Sequence, residues 1–320
     1  MMRAAVVISA ILLTAVPAAA GDTGRLLETL SSANPVIRVQ AVEELATHRE
    51  PRVFVALLLA LRDRDADVRA HAAEALRVRG DRRAVPFLHR TLTDVDATVR
   101  CRVILSLGEL GDRYLVPSLT RALADPVVIV RAAAIRALGE IGDPLSLRDV
   151  LHALRDEEQD THGSVSGAGL IACARLAGAR GLDRALGIVG DRVAGRWFLR
   201  AVYARAVGVA GADRRVSDLV AFLARDPDRR VVQAAAASLG LLGRVEPLEE
   251  ATVSEDGFRR RAAVAALATM ESEEVGPILV RMVGDGDPAV VLEAADGLTG
   301  RGNAAAIPVL IRLLDVSDPP

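Results

Sequence analysis

The stretch DVDATVRCRVILSLGELGDRYLVPSLTRAL, residues 94–123, decides the fold because the chain repeats its pattern before and after it. Its landmarks follow a fixed order: the pair Val99-Arg100, an apolar run ending at Leu107-Gly108, a turn at Gly111-Asp112, and a second apolar run opening at Val116-Pro117. One copy begins at Asp63 and another at Asp125, each 31 residues away. A fixed period of about 20–50 residues is typical of a solenoid or repeat array.

Four residue columns define the period, and each steps by 31 residues. They are the arginines Arg38, Arg69, Arg100 and Arg131; the leucines Leu45, Leu76, Leu107 and Leu138; the glycines Gly80, Gly111 and Gly142; and the aspartates Asp63, Asp94, Asp125 and Asp156. The apolar residues between them recur at helical spacing, so each repeat contains two amphipathic helices. The turn glycine ends the first helix by adopting a left-handed conformation. Helices this short bury their apolar stripes only by stacking on neighbouring repeats.

The pattern D-x-x-V-R-x-x-A-x-x-x-L-G-x-x-G-D-x-x-x-V-P-x-L resembles the short HEAT-like repeat, also called the bilin-lyase-type HEAT repeat. The resemblance implies an all-α fold: a right-handed α-solenoid of about nine two-helix repeats plus an N-terminal half-repeat. It also implies that the helix bearing Val-Arg lines a concave face. Such solenoids host many unrelated roles, so the resemblance is specific for fold and weak for function.

Four segments follow from the register. Residues 1–20 are predicted to be a cleavable signal peptide, residues 21–155 the half-repeat and repeats 1–4, residues 156–167 an inserted polar loop, and residues 168–316 repeats 5–9. The insertion is inferred because the leucine column jumps from Leu138 to Leu176. The later repeats are degenerate, since Gly169, Val232 and Val291 replace the arginine. The tail, residues 315–320, is expected to fray.

The amino terminus has a short positive start, an apolar run and small residues up to Ala20, where cleavage is expected. Its run of about 13 apolar residues is short for the alternative, a membrane anchor. The protein is therefore expected to be secreted or periplasmic. Cys101 and Cys173 lie two repeats apart and are expected to stay unpaired.

Composition limits the function. All 40 basic residues are arginine, which excludes lysine Schiff-base chemistry, and the net charge is only −2. Arginines alternate with acidic residues throughout, and without a one-signed basic stripe the sequence argues against nucleic-acid binding. The chain lacks the His-Glu dipeptides of the related deoxyhypusine hydroxylases and shows no converging metal ligands. No metal or other cofactor is expected.

The aspartate and arginine columns form the first candidate site. The residues are Asp63, Arg69, Asp94, Arg100, Asp125 and Arg131. One interpretation is an anion-binding ladder, and the favoured one is structural, in which each aspartate caps or pairs across a turn with a neighbouring arginine. The tripeptide Arg79-Gly80-Asp81 is attributed to helix termination rather than to receptor binding.

The second candidate site is a protein-binding groove along the Val-Arg helices. Its predicted residues are Arg102, Leu105, Arg136, Leu170, Ile171, Trp197, Phe198, Val202 and Arg205. Trp197 and Phe198 either pack under the 156–167 insertion or contact a partner. The sequence thus predicts a non-catalytic, secreted or periplasmic scaffold that binds a protein or peptide along the groove. The alternative is a ligand-carrying or lyase-like enzyme related to bilin lyases, but no nucleophile, base and orienting group occur together.

Overall fold

The computed structural model describes residues 22–156, 160 and 162–302, and every regular element among them is helical. The predicted α-solenoid of two-helix repeats is confirmed, with 17 helices in the described residues. The predicted signal peptide, the end of the last repeat and the tail lie outside the described residues. The chain divides into two compact units, Met1–Ser146 (unit 1) and Leu147–Pro320 (unit 2).

Unit 1 contains eight α-helices between residues 22 and 146, the part of it that the structure describes. They are α1 (Asp22–Thr29), α2 (Pro35–Leu45), α3 (Pro51–Ala60), α4 (Ala66–Arg79), α5 (Val85–Thr91), α6 (Ala97–Leu110), α7 (Val116–Ala122) and α8 (Val128–Ile141). Helices α4, α6 and α8 carry the Val-Arg pairs, α2 carries Ile37-Arg38 in the same place, and the four helices form the arginine layer of this unit. Helices α3, α5 and α7 begin with a proline at the first or second position and form its proline layer.

Unit 2 contains nine helices within its described residues. They are α9 (Leu147–Asp156), α10 (Ser164–Gly195), α11 (Trp197–Ala210), α12 (Val216–Arg225), α13 (Arg229–Leu241), α14 (Val245–Ala251), α15 (Gly257–Ala268), α16 (Val275–Met282) and α17 (Pro288–Gly300). Helix α10 is two helices joined by a kink at Ala177 and Gly178, whose dihedral angles are non-helical. The arginine layer of this unit comprises the first half of α10 together with α11, α13, α15 and α17.

Aspartates cap the start of two Val-Arg helices in unit 1. The carboxylates of Asp65 and Asp96 accept hydrogen bonds from free backbone N–H groups of the first turn of α4 and α6. Gly80 and Gly142 end α4 and α8 with φ of 67° and 70°, as predicted for left-handed caps. The same prediction is wrong for Gly111, whose φ is −77°. Glycine is needed there because an added Cβ would overlap the Leu107 carbonyl oxygen.

Close helix contacts explain a second glycine column. A Cβ built on Gly108 would lie 2.8 Å from both Cα and Cβ of Ala137 on the next arginine-layer helix. Leu107 and Leu138, which are the chain neighbours of Gly108 and Ala137, are fully buried. The arginine-layer helices therefore pack backbone to backbone, in keeping with an Ala- and Leu-rich core that has few aromatic residues.

The insertion is shorter than predicted. Helix α10 begins at Ser164, so residues 164–167 belong to a helix and not to a polar loop. Asp160 is also buried, because its carboxylate accepts from the backbone N–H groups of Val165 (3.2 Å) and Ser166 (2.8 Å). The sequence suggested a surface loop, yet this acidic residue caps the helix from inside the fold. Residues 157–159 and 161 lie outside the description.

Candidate functional site

The aspartate and arginine columns meet between repeats rather than within them. Arg69 Nε and Nη2 donate to the two carboxylate oxygens of Asp94 at 2.8 Å each, 25 residues ahead. Arg100 forms the same bidentate pair with Asp125, at 2.8 and 2.9 Å. Each of these aspartates is also followed, six residues later, by the arginine of its own repeat. That arginine contacts the backbone carbonyl of the aspartate and not its carboxylate. Arg69 Nη1 donates to the backbone carbonyl of Asp63 at 2.8 Å.

Each arginine therefore ties together two loops. Arg100 Nη1 also donates to the carbonyls of Asp94 (3.0 Å) and Val95 (3.2 Å). Four of the five guanidinium N–H groups are thus used inside the protein. Arg131 continues the series, since its Nη1 donates to the Asp125 carbonyl at 2.6 Å. Side chains so fully engaged leave little capacity to bind an external anion.

These arginine–aspartate pairs, called the ladder from here on, also shift the pKa values of the aspartate carboxyl groups. Burial raises the pKa of Asp94, but the hydrogen bonds from Arg69 and from the Asp96 backbone N–H outweigh it. The net pKa of Asp94 lies below its ordinary value, and the same opposition lowers the pKa of Asp63 and Asp125. The aspartates are ionised in the folded protein, so the pairs are charge-assisted.

At two positions where the described part of unit 2 lacks the arginine, it also lacks the aspartate. Arg200 and Arg260 keep their pairs, to Asp226 and Asp285. Val232 replaces the arginine between them, and the position that an aspartate would fill holds Ser254. Ser254 is identified as that position because Arg260 Nη1 donates to its carbonyl at 2.9 Å, as ladder arginines do.

The degenerate repeat of α10 shows the same double loss. Gly169 replaces the arginine, and Ala194 stands at the matching aspartate position, where its carbonyl accepts from Arg200 Nη1 at 3.2 Å. Beside Val232 a different arginine fills the gap, since Arg259 Nη2 donates to the Asp226 carbonyl at 2.9 Å. The two charged residues are therefore present or absent together, which is the behaviour of a structural pair.

The two aromatic residues at the start of α11 have different environments. The Phe198 ring lies directly against Gly163 at the end of the insertion, where a Cβ would overlap it. Trp197 stays 37% exposed, and the guanidinium carbon of Arg230 lies 3.2 Å from its ring centroid. Phe198 therefore packs under the insertion, whereas Trp197 remains available at the surface.

The other predicted groove residues are not equivalent either. Arg102, Arg136 and Arg205 are exposed, and Leu105, Ile171 and Val202 are half-buried. The prediction for Leu170 is wrong, because its side chain is fully buried. Gly169 replaces the ladder arginine immediately before it, and a Cβ there would overlap the Leu154 side chain. Glycine at position 169 thus lets α10 approach α9 closely, and Leu170 belongs to the core.

Sequence and structure comparisons identify the repeat. The family described as HEAT repeats matches residues 24–100, 88–165 and 245–320, which is more than half of the chain. The protein belongs to the HEAT-repeat family. A comparison with curated protein sequences finds no match. HEAT repeats commonly mediate protein interactions.

Three solved structures are similar to this chain to different degrees. YibA of Escherichia coli is 18% identical, with a TM-score of 0.50, and the match covers 81% of this chain and 96% of YibA. The CpcE–CpcF complex of phycocyanin lyase from Nostoc is 21% identical, with a TM-score of 0.34 and coverage of 94% and 98%. Human deoxyhypusine hydroxylase is 20% identical, with a TM-score of 0.36 and coverage of 77% and 94%. Similarity at this level concerns the fold alone.

The HEAT-repeat helices of unit 2 expose an apolar strip that the sequence reading defined only in part. We define the apolar strip as Trp197, Val202, Val209, Leu241 and Leu292, which lie on α11, α13 and α17. Leu241 is 76% exposed, Leu292 56% and Val209 45%. When each residue is counted from the ladder arginine position of its own helix, the five residues fall within a sector of about 140° on a helical wheel. Val209 and Leu241 each lie nine residues after the ladder arginine position of their helix, and this shared spacing could have identified them from the sequence.

The corresponding face of unit 1 combines exposed apolar side chains with paired charges, since Val36, Val78 and Ile129 are 60%, 47% and 50% exposed there. Arg77 bonds to Glu74 on its own helix and to Glu109 on the next arginine-layer helix. His71 Nε2 lies 3.3 Å from Glu43 on the preceding one. Exposed pairs of this kind contribute little stability, but they satisfy one another's charge. Both faces therefore expose apolar side chains, and the strip of unit 2 is distinguished by the aromatic residue Trp197 and by Leu241, which is 76% exposed.

Other candidate chemistry has plain structural placements. Cys101 and Cys173 are both free, as predicted, and burial raises the pKa of each thiol. Arg79 of the Arg79-Gly80-Asp81 tripeptide is buried and donates to the His48 carbonyl, so the tripeptide is not displayed. Within the described residues, no three His, Cys, Asp or Glu side chains are grouped to hold a metal ion, and no helix has the length and apolarity to cross a membrane.

Proposed function

We propose that this HEAT-repeat protein is a non-catalytic scaffold that binds another protein through the apolar strip of unit 2. The observation that carries the proposal is the exposure of Leu241, Leu292, Val209 and Trp197 on one face of the arginine layer. Large apolar side chains grouped at a surface usually mark an interaction site. The strip suits the apolar side of a helix or an extended segment, and Arg205 beside it adds a charged contact.

The strip also contains a tryptophan, a residue type that often contributes much of the binding energy at protein interfaces. Trp197 is rigid and amphipathic, and it is held from one side by Arg230, whose guanidinium also pairs with Asp228. A tryptophan preorganised in this way loses little conformational entropy on binding. Leu241 adds the largest apolar exposure in the strip. We therefore expect these two residues to contribute most of the affinity.

Site-specific photo-crosslinking tests the proposal. A photoreactive residue at position 241 should give one dominant adduct, whereas the same residue at position 221, exposed on α12, should not. Lysine-directed reagents are unsuitable because the chain has no lysine side chain. The Trp197→Ala substitution should reduce the adduct from position 241 about tenfold or more. Equal crosslinking from 221 and 241, or none from 241, would reject the strip as the binding face.

We further propose that residues 1–20 direct the protein to the periplasm or the exterior and are then removed. The support is the sequence pattern alone: a positive start, an apolar run and small residues before Gly21. Amino-terminal sequencing of the protein recovered from cell fractions is the test. A mature chain starting near Gly21 in an exported fraction is expected, and a cytosolic chain that keeps Met1 would contradict it.

A further inference from the structure

The proline layer of unit 1 carries charge of one sign. The segments 51–62, 82–93 and 113–124 contain seven arginines and no aspartate or glutamate. These segments hold α3, α5 and α7, and His89 on α5 bonds to Ser118 on α7 at 2.8 Å, so the helices lie side by side. The sequence-based expectation that no one-signed basic stripe exists is therefore wrong. Alternation along the chain hides the stripe, because the acidic residues fall on the other layer and in the loops.

Most of these arginines have no carboxylate partner. Two of the seven are engaged: Arg82 donates to the Leu110 and Gly111 carbonyls, and Arg83 pairs with Asp81. The guanidinium groups of the other five make no ion pair or hydrogen bond within the described part of the chain; they belong to Arg52, Arg62, Arg90, Arg113 and Arg121. On the arginine layer of the same unit, by contrast, Arg77 and Arg102 face carboxylates. The proline layer thus has a positive potential that the fold does not neutralise.

Apolar side chains lie among the unpaired arginines. Val55 and Leu59 on α3 and Phe87 on α5 are each about 40% exposed. Phe87 also forms one wall of a cavity of about 330 Å³, which Leu58 lines from α3 and Leu61 from the residue that follows that helix. Phe87 has no counterpart of its size one repeat before or after, where the chain has Ala56 and Ser118. The aromatic wall of the cavity is therefore specific to this pair of repeats.

The polar groups of the cavity define what it can bind. Arg69 and Asp94 both line it, but they are bonded to each other through the ladder. Thr91 and Thr93 add hydroxyl groups, and the two unpaired arginines Arg62 and Arg90 complete the lining. The cavity combines apolar walls with two unneutralised cations. A ligand that fits it has a large apolar group and negative charges next to that group.

We propose that the proline layer of unit 1 binds an acidic segment of a partner protein, which inserts one large apolar side chain into the cavity beside Phe87. Carboxylates on either side of that side chain pair with Arg62 and Arg90. Guanidinium groups suit this role because they bind carboxylates bidentately. Nucleic acid fits less well, since single strands need a row of aromatic residues for base stacking. A membrane surface fits less well, because interfacial binding needs a broad apolar face and not a cavity of side-chain size.

A synthetic peptide tests the proposal with the full-length protein. The peptide consists of aspartate and glutamate with one central phenylalanine, and a second peptide has serine in place of phenylalanine. Fluorescence anisotropy should show tighter binding of the phenylalanine peptide. The double substitution Arg62→Glu with Arg90→Glu should weaken its binding about tenfold or more. Phe87→Ala should weaken binding of the phenylalanine peptide but leave binding of the serine peptide unchanged.

A matched variant separates the site from general charge. Arg102→Glu with Arg136→Glu makes the same change in net charge on the arginine layer of the same unit, and it should leave peptide binding unchanged. Equal weakening by both double variants would overturn the proposal, as would equal binding of the two peptides. Phosphatidylglycerol vesicles and a single-stranded DNA oligonucleotide are measured in parallel. Tighter binding of either one, with loss in the Arg62→Glu/Arg90→Glu variant, would assign the layer to that ligand instead.

Discussion

The two units build the same repeat with different completeness. In unit 1 the ladder runs without a break from Arg38 through Arg100, and every aspartate accepts from the arginine of the preceding repeat. In unit 2 the pairs Arg200–Asp226 and Arg260–Asp285 are separated by a repeat that has Val232 and Ser254 instead. The difference shows that the arginine and the aspartate of a ladder pair are missing together in this repeat. Losing both charges leaves no buried, unpaired group, whereas losing one would.

The first prediction removes one member of a pair in the complete unit. Arg100→Ala should lower the free energy of unfolding by about 2–3 kcal/mol, because Asp125 loses its charge-assisted bonds and stays largely buried. The helical content of the folded protein should not change. Urea unfolding followed by circular dichroism measures both quantities.

The control for Arg100→Ala lies two residues away. Arg102→Ala removes an exposed arginine whose nearest carboxylate oxygen, on Glu74, is 3.8 Å away. Its cost should stay below about 1 kcal/mol. A variant Arg100→Ala as stable as wild type would show that the ladder does not hold the repeats together, and the contrast between the units would lose its meaning.

The second prediction uses pH to weaken the ladder without mutation. The folded-state pKa values of Asp63, Asp94 and Asp125 are lowered, so their stabilisation is complete above the unfolded-state pKa of about 3.9. It is lost as the pH falls through the lower folded-state values. Asp94→Asn should therefore be less stable than wild type near neutral pH. The gap between their unfolding free energies should close in acid.

Urea titrations of both proteins at a series of pH values measure this gap. A gap that stays constant down to acidic pH would mean that the charge of Asp94 contributes nothing. In that case its hydrogen bonds alone, which asparagine keeps in part, would carry the pairing. The comparison between the units would then concern shape and not charge.

Much of this arrangement could be predicted from the sequence, and the missing parts have physical causes. The period places Arg69 and Asp94 in columns, which is enough for the helices and their stacking. It does not say which aspartate an arginine reaches, because that depends on how far the next repeat is displaced. Spacing along the chain favoured Asp63, six residues away, but only its backbone carbonyl faces Arg69.

The candidate surfaces were harder to predict for a related reason. The burial of Leu170 follows from the closer approach that Gly169 allows, and no periodicity reports such a local shift. The basic face of unit 1 becomes visible only when residues 51–62 and 82–93 are placed side by side. Exposure of Leu241 follows from its place on the helix, which the ladder column could have supplied.

The third and smallest expected effect rebuilds the missing pair in unit 2. Val232→Arg alone should destabilise the protein, because it places an unpaired guanidinium at a buried position. Ser254→Asp alone adds a carboxylate without a partner. Together they recreate the arrangement that flanks them on both sides, at Arg200–Asp226 and Arg260–Asp285.

The double variant should therefore be more stable than the sum of the single effects by about 1 kcal/mol, measured as a double-mutant cycle in urea. The coupling is expected to be smaller than a native pair, since Arg259 already occupies the Asp226 carbonyl that an arginine at position 232 would use. Strict additivity would mean that Val232 and Ser254 are not ladder positions. Coupling of the expected sign would show that this gap in unit 2 is a ladder site that has lost both of its charges, and not a different way of stacking repeats.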